Sequence, residues 1–171
     1  MFKNKTVLIA GGGGFIGGHL AKKLLPNNKV IVADIKPLSQ WFQKFPKAIN
    51  YSLDLKVKSN CLKVTKSVDY VFNMACNMGG MGFIENNKAE CMQSVLINTN
   101  LLIACKEDDV KKYFFSSSAC AYNKSKQQDV FIEGLKESDA YPANPEDGYG
   151  WEKLFSERMC GHFMEDYGIE V

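Results

Sequence analysis

The sequence predicts an α/β fold in which a parallel sheet is covered by helices on both faces, giving three α/β/α layers. Short apolar runs alternate with longer segments of helical periodicity along the chain, and this alternation is typical of a doubly wound parallel sheet. A glycine-rich turn joins the first apolar run to the first helical segment. The chain has 171 residues, of which 46% are hydrophobic, so one domain with a full core is expected.

The first strand, helix and second strand surround the glycine-rich turn. The apolar run at residues 6–10 predicts a strand, and residues 15–25 predict a helix that Pro26 ends. Residues 30–33 predict a second strand, and Asp34 follows it roughly 20 residues beyond the turn. A dinucleotide-binding fold has an acidic side chain at this position to bind a ribose hydroxyl.

The later elements continue the alternation of strands and helices. They are a strand at 48–53, a helix at 57–65, a strand at 68–74, a helix at 86–107, a strand at 111–117, a helix at 149–167 and the start of a sixth strand at 169–171. Gly168 ends the last helix. The polar, proline-containing segment 123–145 is predicted to be a surface loop over the site.

The glycine turn predicts a binding site for a dinucleotide. Its Gly-x-x-Gly-x-x-Gly pattern lets backbone amides approach a pyrophosphate at a helix N-terminus. The predicted contacts are Gly11, Gly14, Phe15, Ile16 and Gly17. The acidity of Asp34 favours NAD over NADP, because a carboxylate repels a 2′-phosphate. The alternatives are a tight turn that binds nothing, and an Asp34 that caps a helix or ends a turn.

A tyrosine and a lysine four residues apart predict proton transfer beside a nicotinamide. Tyr149 and Lys153 share one face of the helix predicted at 149–167. The lysine cation is expected to lower the pKa of the Tyr149 phenol towards neutrality, so that the phenol gives and takes a proton. Ser118, at a strand end, offers a hydroxyl for the same reacting oxygen. The alternative is an ordinary helix surface.

With these motifs the chain resembles the extended short-chain dehydrogenase/reductases of the NAD-dependent epimerase/dehydratase family, and within them it is similar to the GDP-mannose 3,5-epimerases. The glycine turn and the Tyr-x-x-x-Lys pair are shared across the superfamily. Five segments carry the closer similarity: CLKVT at 61–65, MGGMGFI at 78–84, SSAC at 117–120, LKESDA at 135–140 and YGWEK at 149–153. The similarity covers essentially the whole chain and implies a Rossmann-type fold.

The resemblance implies an NAD-dependent isomerase that acts on a nucleotide sugar, with GDP-mannose as the expected substrate. Tyr149 would take the proton of the C4 hydroxyl while a hydride moves to NAD. Lys153 would lower the pKa of Tyr149 and contact the ribose, and Ser118 would be the hydroxyl partner of Tyr149. The 4-keto sugar that results is acidic at C3 and C5, where Cys120 would act as acid and base. The alternative for Cys120 is a small buried core residue.

Further contacts are implied by the same resemblance. The sugar pocket would be lined by Gly79, Gly80 and Met81, and the cofactor would contact Asp54 and Leu55 at the adenine and Ala75 at the end of the fourth strand. The alternative for the glycine and methionine segment is a flexible connection. The family's catalytic asparagine falls on Ser94 in this register, with Asn98 and Asn100 nearby as alternatives.

The resemblance further implies that residues 1–171 form one NAD-binding Rossmann domain, an N-terminal fragment from which the C-terminal sugar-nucleotide-binding lobe is absent. Such a fragment can be inactive by itself. The helices at 86–107 and 149–167 resemble those that pair two subunits, so a homodimer is expected. Two alternatives stay open: another extended reductase, such as a nucleotide-sugar 4-epimerase or dehydratase, and a non-catalytic NAD-binding module.

Composition excludes several other classes of function. The 21 basic and 19 acidic residues are mixed along the chain and leave a charge of +2, which indicates neither a nucleic-acid partner nor a membrane surface. The start of the chain lacks a long apolar leader, so a cytoplasmic protein is expected. The six cysteines and two histidines lack the spacing of metal ligands, so no metal site is expected.

Overall fold

The computed structural model describes residues 2–128, 131 and 134–171. Within these residues the chain forms a sheet of five parallel strands in the order β3-β2-β1-β4-β5. The strands are β1 (Thr6–Ala10), β2 (Lys29–Asp34), β3 (Ile49–Ser52), β4 (Tyr70–Asn73) and β5 (Lys112–Phe115). The strand order reverses at β1, so a crevice opens between β1 and β4 at the carboxyl ends of the strands. The predicted fold class is confirmed.

Six α-helices connect or follow these strands in the described part of the chain: α1 (Phe15–Leu24), α2 (Lys58–Thr65), α3 (Met81–Asn86), α4 (Lys88–Met92), α5 (Ser94–Glu107) and α6 (Tyr149–Tyr167). The left-handed Gly168 ends α6, as predicted. The surface loop predicted at 123–145 contains short 3-10 turns at Lys124–Gln127 and Glu137–Ala140. Its residues 129, 130, 132 and 133 lie outside the described residues.

The prediction of a single helix at 86–107 was wrong. The chain instead folds there as α4 and α5, and α3 precedes them, beginning within the glycine and methionine segment. Asn87 separates α3 from α4 because its backbone is non-helical, with φ −130° and ψ 44°. Its side-chain amide donates to the Phe83 carbonyl at 3.0 Å, a local bond that competes with helix continuation.

The sixth strand is present as one bridge in the described residues. Glu170 pairs in parallel with Lys112 at the outer edge of β5. The Tyr113 N–H donates to the Glu170 carbonyl at 2.8 Å, and the Glu170 N–H donates to the Lys111 carbonyl at 3.1 Å. The sheet therefore begins to extend beyond β5, as the apolar end of the chain predicts.

Side chains alternate across the central strand and build a core on each face of the sheet. Leu8 of β1 packs on the side of α2, α5 and α6, with Val64 and Leu101. Val7 and Ile9 pack on the side of α1, together with Trp41. Because both faces of β1 are buried, its sequence is apolar without alternation. None of the helices in the described residues is long and apolar enough to cross a membrane.

A buried polar network lies where β4, β5, α5 and α6 meet. The Tyr113 hydroxyl donates to Asn98 Oδ1 at 2.7 Å, and Asn73 Nδ2 donates to the same hydroxyl at 2.9 Å. The Ala75 N–H donates to Asn73 Oδ1 at 3.2 Å. These bonds satisfy polar groups that are almost fully buried and fix the end of β4, where the crevice begins.

Candidate active site

The glycine turn after β1 is tightly closed on itself. Gly11 has φ +78°, and a Cβ at Gly17 would lie 2.4 Å from the Gly11 carbonyl oxygen, so a side chain cannot be accommodated there. Gly14 is the N-cap of α1. The next N–H groups, of Phe15 and Ile16, belong to the first turn of the helix and have no intrahelical acceptor. The turn therefore presents a helix N-terminus that suits an anion.

Asp34 is buried at the end of β2 and holds the glycine turn. Its Oδ2 accepts the Gly13 N–H at 3.0 Å, and its Oδ1 accepts the Lys36 N–H at 3.0 Å. Asp34 therefore has a structural role in the turn, which was one of the alternatives considered for it. Each carboxylate oxygen retains acceptor capacity, so the ribose role predicted for Asp34 is compatible with these bonds.

A cavity of about 310 Å³ opens beside the turn and runs along the carboxyl ends of the central strands. Six of the predicted cofactor contacts line it: Gly11, Gly14, Asp34, Asp54, Leu55 and Ala75. Phe15, Ile16 and Gly17 do not line this cavity. The crevice expected from the strand order is therefore a real cavity, and residues far apart in the sequence meet in it.

The first turn of α6 brings Lys153 under the end of β5. Lys153 is buried, and its Nζ donates to the Ser116 carbonyl at 2.9 Å. The same atom lies 4.6 Å from the centre of the Phe115 ring and 5.5 Å from the centre of the Tyr149 ring. Tyr149 and Lys153 therefore share one helical face, as their spacing predicts.

The pKa of Tyr149 is shifted in the direction opposite to the expected one. Burial and, to a lesser degree, the neighbouring Cys76 thiol raise this pKa to about 12, against the lowering effect of a hydrogen bond with Ser118. The phenol is only 5% exposed and packs against Ile84 and Cys91. The sequence could not show this burial, which disfavours the charged phenolate.

Ser118 and Cys120 lie next to Tyr149 in a short turn after β5. Ser118 Oγ caps the 3-10 turn Ala119–Ala121 by accepting the Cys120 N–H at 3.2 Å. The Cys120 side chain is half-buried and packs against the apolar cluster around Tyr149. The four predicted catalytic side chains, from the β5 end and from α6, are therefore brought together.

The predicted sugar-pocket segment lies at the start of α3. Gly80 is the N-cap of this helix, and Met81, its first residue, is exposed. Gly79 packs closely on Phe83, which in turn packs against the cluster around Tyr149. Gly79, Gly80 and Met81 do not line the 310 Å³ cavity, although the preceding Met78 does. Their proposed contact with a sugar stays a prediction.

Two residues at the site were missed from the sequence. Cys76 follows Ala75 directly, lines the cavity and lies within hydrogen-bonding reach of the Tyr149 hydroxyl. Burial raises the pKa of this thiol, so it stays protonated at neutral pH. Glu152 is buried beside Lys153. A signal for Cys76 existed, since it stands just beyond a strand that ends at the crevice.

Ser94, the residue predicted to stand at the position of the family's asparagine, fixes the chain after β4. Its Oγ accepts the Asn77 N–H at 2.8 Å, and its side chain is buried at the start of α5. In the described part of the chain, no three His, Cys, Asp or Glu side chains are grouped so that they could hold a metal ion.

Comparison with known proteins agrees with this architecture. Residues 7–171 match the NAD dependent epimerase/dehydratase family. The chain is 45% identical over 166 residues to GDP-mannose 3,5-epimerase 1 of Oryza sativa subsp. indica. The alignment covers 96% of this chain and 44% of the rice protein. It is 42% identical over 170 residues to GDP-mannose 3,5-epimerase of Arabidopsis thaliana, which covers 98% of this chain and 45% of that protein.

A solved structure shows the same relationship. UDP-N-acetylglucosamine 4-epimerase from Methanobrevibacter ruminantium M1, in complex with UDP-N-acetylmuramic acid, has a TM-score of 0.80 and 29% sequence identity. The alignment covers 98% of this chain and 53% of that one. The chain therefore spans about half the length of the relatives it matches. The resemblance inferred from the sequence motifs is confirmed.

Proposed function

The chain belongs to the NAD dependent epimerase/dehydratase family, and from that premise we propose that it is the NAD-binding part of a nucleotide-sugar epimerase that acts on GDP-mannose. Residues 1–171 would form the Rossmann domain, and a C-terminal lobe would bind the sugar nucleotide. The identity to GDP-mannose 3,5-epimerases supports this substrate. The observation that carries the proposal is the convergence of Tyr149, Lys153, Ser118 and Cys120 in one cluster that contacts Cys76, a residue that lines the cavity.

The turn and cavity fit a dinucleotide. A Cβ at Gly11 would lie 2.8 Å from the Ala75 nitrogen, so this close approach of two backbone segments requires a glycine. The first-turn amides of α1 would face the pyrophosphate, and Asp34 would accept bonds from the ribose of the adenosine. Bound NAD would supply hydride transfer to and from C4 of the sugar.

The roles of the side chains follow from their positions. Tyr149 would accept the proton of the C4 hydroxyl, with Ser118 sharing the same oxygen. Lys153 would stabilise the phenolate that forms, assisted by the positive charge of the oxidised nicotinamide. Cys120, near Tyr149 and half-buried, would move the proton at C3 or C5 once C4 is a ketone. Inversion requires a proton on the opposite face, which a second acid in the proposed C-terminal lobe would donate.

Calorimetric titration with NAD and NADP tests the cofactor part of the proposal. We expect NAD to bind at least about tenfold more tightly than NADP, because the Asp34 carboxylate lies where a 2′-phosphate would be placed. Equal affinities, or no binding by folded protein, would contradict the proposal.

Hydrogen exchange tests the epimerase part. GDP-mannose is incubated in deuterated water with NAD and a polypeptide that joins this chain to the proposed C-terminal lobe, and mass spectrometry follows deuterium at C3 and C5. Cys120→Ala is expected to lower exchange at least about hundredfold while C4 oxidation persists. Cys105→Ala, which removes a buried thiol from α5, is the control. Unchanged exchange in Cys120→Ala would contradict the role of Cys120 as the acid and base, whereas no exchange at C3 or C5 in the unaltered protein would favour a 4-epimerase.

We further propose that two copies associate through α5 and α6. These helices pack side by side, with Thr99 Oγ1 lying 3.4 Å from Met159 Sδ. Large apolar side chains are exposed on the pair, with Leu96 46%, Trp151 45% and Phe155 55% accessible. Exposed large apolar side chains on two neighbouring helices are typical of an interface.

We also infer a reducing, cytoplasmic compartment. All six cysteines are free thiols in the structure. Proteins of oxidising compartments commonly pair their cysteines. Microscopy of the protein carrying a fluorescent tag at its C-terminus in its own cells would test this inference, and a secretory pattern would contradict it.

A further inference from the structure

Glu152 is a buried carboxylate in the first turn of α6. The residue is 3% exposed, and its Oε1 accepts the Ser156 hydroxyl at 3.0 Å. Within the described residues its Oε2 has no hydrogen-bond partner and lies 3.7 Å from Lys153 Nζ. A carboxylate that is removed from water and incompletely bonded is costly, so it requires a reason beyond packing.

The Lys153 ammonium is held by three groups that leave it little freedom. It donates to the Ser116 carbonyl at 2.9 Å, lies 4.6 Å from the centre of the Phe115 ring and faces Glu152. Both charged side chains are almost fully excluded from solvent, with side-chain exposures of 3% for Lys153 and 1% for Glu152. Their charges are therefore poorly screened, and the carboxylate offsets much of the ammonium charge.

The surroundings of Glu152 connect it to the proton-transfer site. Titratable groups face it from each packed element: Cys91 of α4, Cys76 after β4, and Tyr149 and Lys153 of α6. The Glu152 charge contributes to the raised pKa values of Cys76, Cys91 and Tyr149. Burial raises the pKa of the Glu152 carboxyl itself, whereas Lys153 lowers it.

We propose that Glu152 is a positioning residue for the proton-transfer pair, which holds the Lys153 ammonium in place and offsets its positive charge beside Tyr149. Tyr149 then keeps its proton until a further positive charge, such as an oxidised nicotinamide ring, enters the site. The Tyr149 phenolate, which is the proposed base, would thus form only when oxidised NAD is bound. This inference deepens the proposed function and depends on the role proposed there for Tyr149 and Lys153.

Titration of Tyr149 tests the inference without turnover. The chain is labelled with isotopic tyrosine, the Tyr149 signal is assigned with Tyr149→Phe, and its ionisation is followed by NMR over the alkaline range in which circular dichroism shows an intact fold. In Glu152→Gln the pH of ionisation should fall by about one pH unit. Glu152→Asp, which retains the charge, should restore most of the original value. Glu165→Gln changes an exposed glutamate of the same helix and should have no effect.

A second titration covers the case in which Glu152→Gln does not fold. In Lys153→Met the carboxyl signal of labelled Glu152 should lose its proton at a higher pH than in the unaltered chain, because the ion-pair partner is gone. An unchanged Tyr149 ionisation in folded Glu152→Gln, or an unchanged Glu152 ionisation in Lys153→Met, would overturn the inference. Failure of NAD to bind would instead contradict the proposed function, and neither titration requires NAD.

Discussion

Asp34 shows how one side chain can serve both structure and selectivity. Its two oxygens accept the N–H groups of Gly13 and Lys36, so it holds the shape of the glycine turn. The sequence had predicted that it binds a ribose hydroxyl. Because a carboxylate oxygen has two lone pairs, these bonds leave room for a ribose hydroxyl. The same charge that orders the turn would repel an additional phosphate.

Replacement of Asp34 by asparagine separates these two roles. Asp34→Asn keeps an oxygen for a backbone N–H but removes the charge, so the preference for NAD over NADP should decrease by about tenfold. Calorimetry with both cofactors measures the ratio. Asp69→Asn is the matched control, because Asp69 also accepts a backbone N–H, that of Thr6, but at the opposite end of the sheet. An unchanged ratio in Asp34→Asn would contradict the selectivity role.

Residues with a short-range signature could be identified from the sequence, whereas those that act through burial could not. Gly11, Gly17 and Asp34 were found because their spacing is fixed by one turn. Tyr149 was found for the same reason, but the direction of its pKa depends on side chains more than 25 positions away, such as Cys76 and Cys120. Glu152 had no signature, since only the structure shows that its side chain is buried.

At the scale of elements, α6 approaches the turn after β5 closely enough to require a glycine. A Cβ on Gly150 would lie 2.3 Å from the Cys120 carbonyl oxygen. That carbonyl also accepts the Glu146 N–H at 3.0 Å, so it is not free to move away. Gly150 therefore allows the helix that carries Tyr149 to rest directly on the segment that carries Cys120.

We expect Gly150→Ala to destabilise the fold by about 1–3 kcal/mol, because the added methyl group overpacks a backbone contact. Gly161→Ala on the same helix is the control, since its Cβ would meet nothing within 4 Å. That control should stabilise the chain by roughly 0.5–1 kcal/mol through helix propensity. Urea unfolding measures both changes. If both substitutions changed the free energy of unfolding by the same amount in the same direction, the close contact at Gly150 would not limit the side chain there.

Element types were predictable because their periodicity is local, but the boundaries between short helices were not. Strands β1, β2, β4 and β5 and helices α1, α2 and α6 lie where the patterns predict them. The break between α3 and α4 coincides with a side-chain bond of Asn87 that apolar periodicity does not report.

At the scale of the whole molecule, buried thiol and phenol groups make the free energy of unfolding depend on pH in the alkaline range. Burial raises the pKa of Cys61 from 9.0 to about 12, that of Cys160 from 9.0 to about 11 and that of Tyr149 from 10.0 to about 12. Above the ordinary values the unfolded chain loses these protons while the folded chain retains them. Unfolding then releases protons, so the free energy of unfolding falls as pH rises.

We expect stability to be nearly constant in this respect below about pH 8 and to fall by roughly 1.4 kcal/mol per pH unit for each such group above its ordinary pKa. Urea unfolding under a reducing agent at several alkaline pH values gives the slope. Cys61→Ala should make the slope shallower by the contribution of one proton, roughly 1.4 kcal/mol per pH unit. A slope that is the same in both proteins would show that Cys61 does not contribute.

The proposed homodimer also belongs to this scale. Phe155→Glu would place a charge on the exposed face of α6, and the molar mass measured by light scattering at micromolar concentration should fall from two chains to one. Leu38→Glu introduces the same charge at an apolar residue of similar exposure, 46%, far along the chain from α5 and α6. A single-chain mass for the unaltered protein would contradict the dimer.

The fold class was the most predictable property of the molecule because it depends on the alternation of elements and not on any single contact. The uniformly apolar runs 6–10 and 30–33 identified strands that are buried on both faces. The Asn73, Asn98 and Tyr113 network that fixes the crevice could not be predicted, since its members come from three elements and have no common spacing.

The central place of β1 has a consequence for the order in which the molecule is assembled. Val7 of β1 pairs with Val30 of β2 on one side and with Tyr70 of β4 on the other. A chain that emerges from the ribosome therefore offers β1, the glycine turn and β2 long before β4 and β5. Every residue of the glycine turn and of its close approach at Ala75 is therefore translated before Tyr149 and Lys153, so the residues that would bind the pyrophosphate leave the ribosome before those that would move the proton.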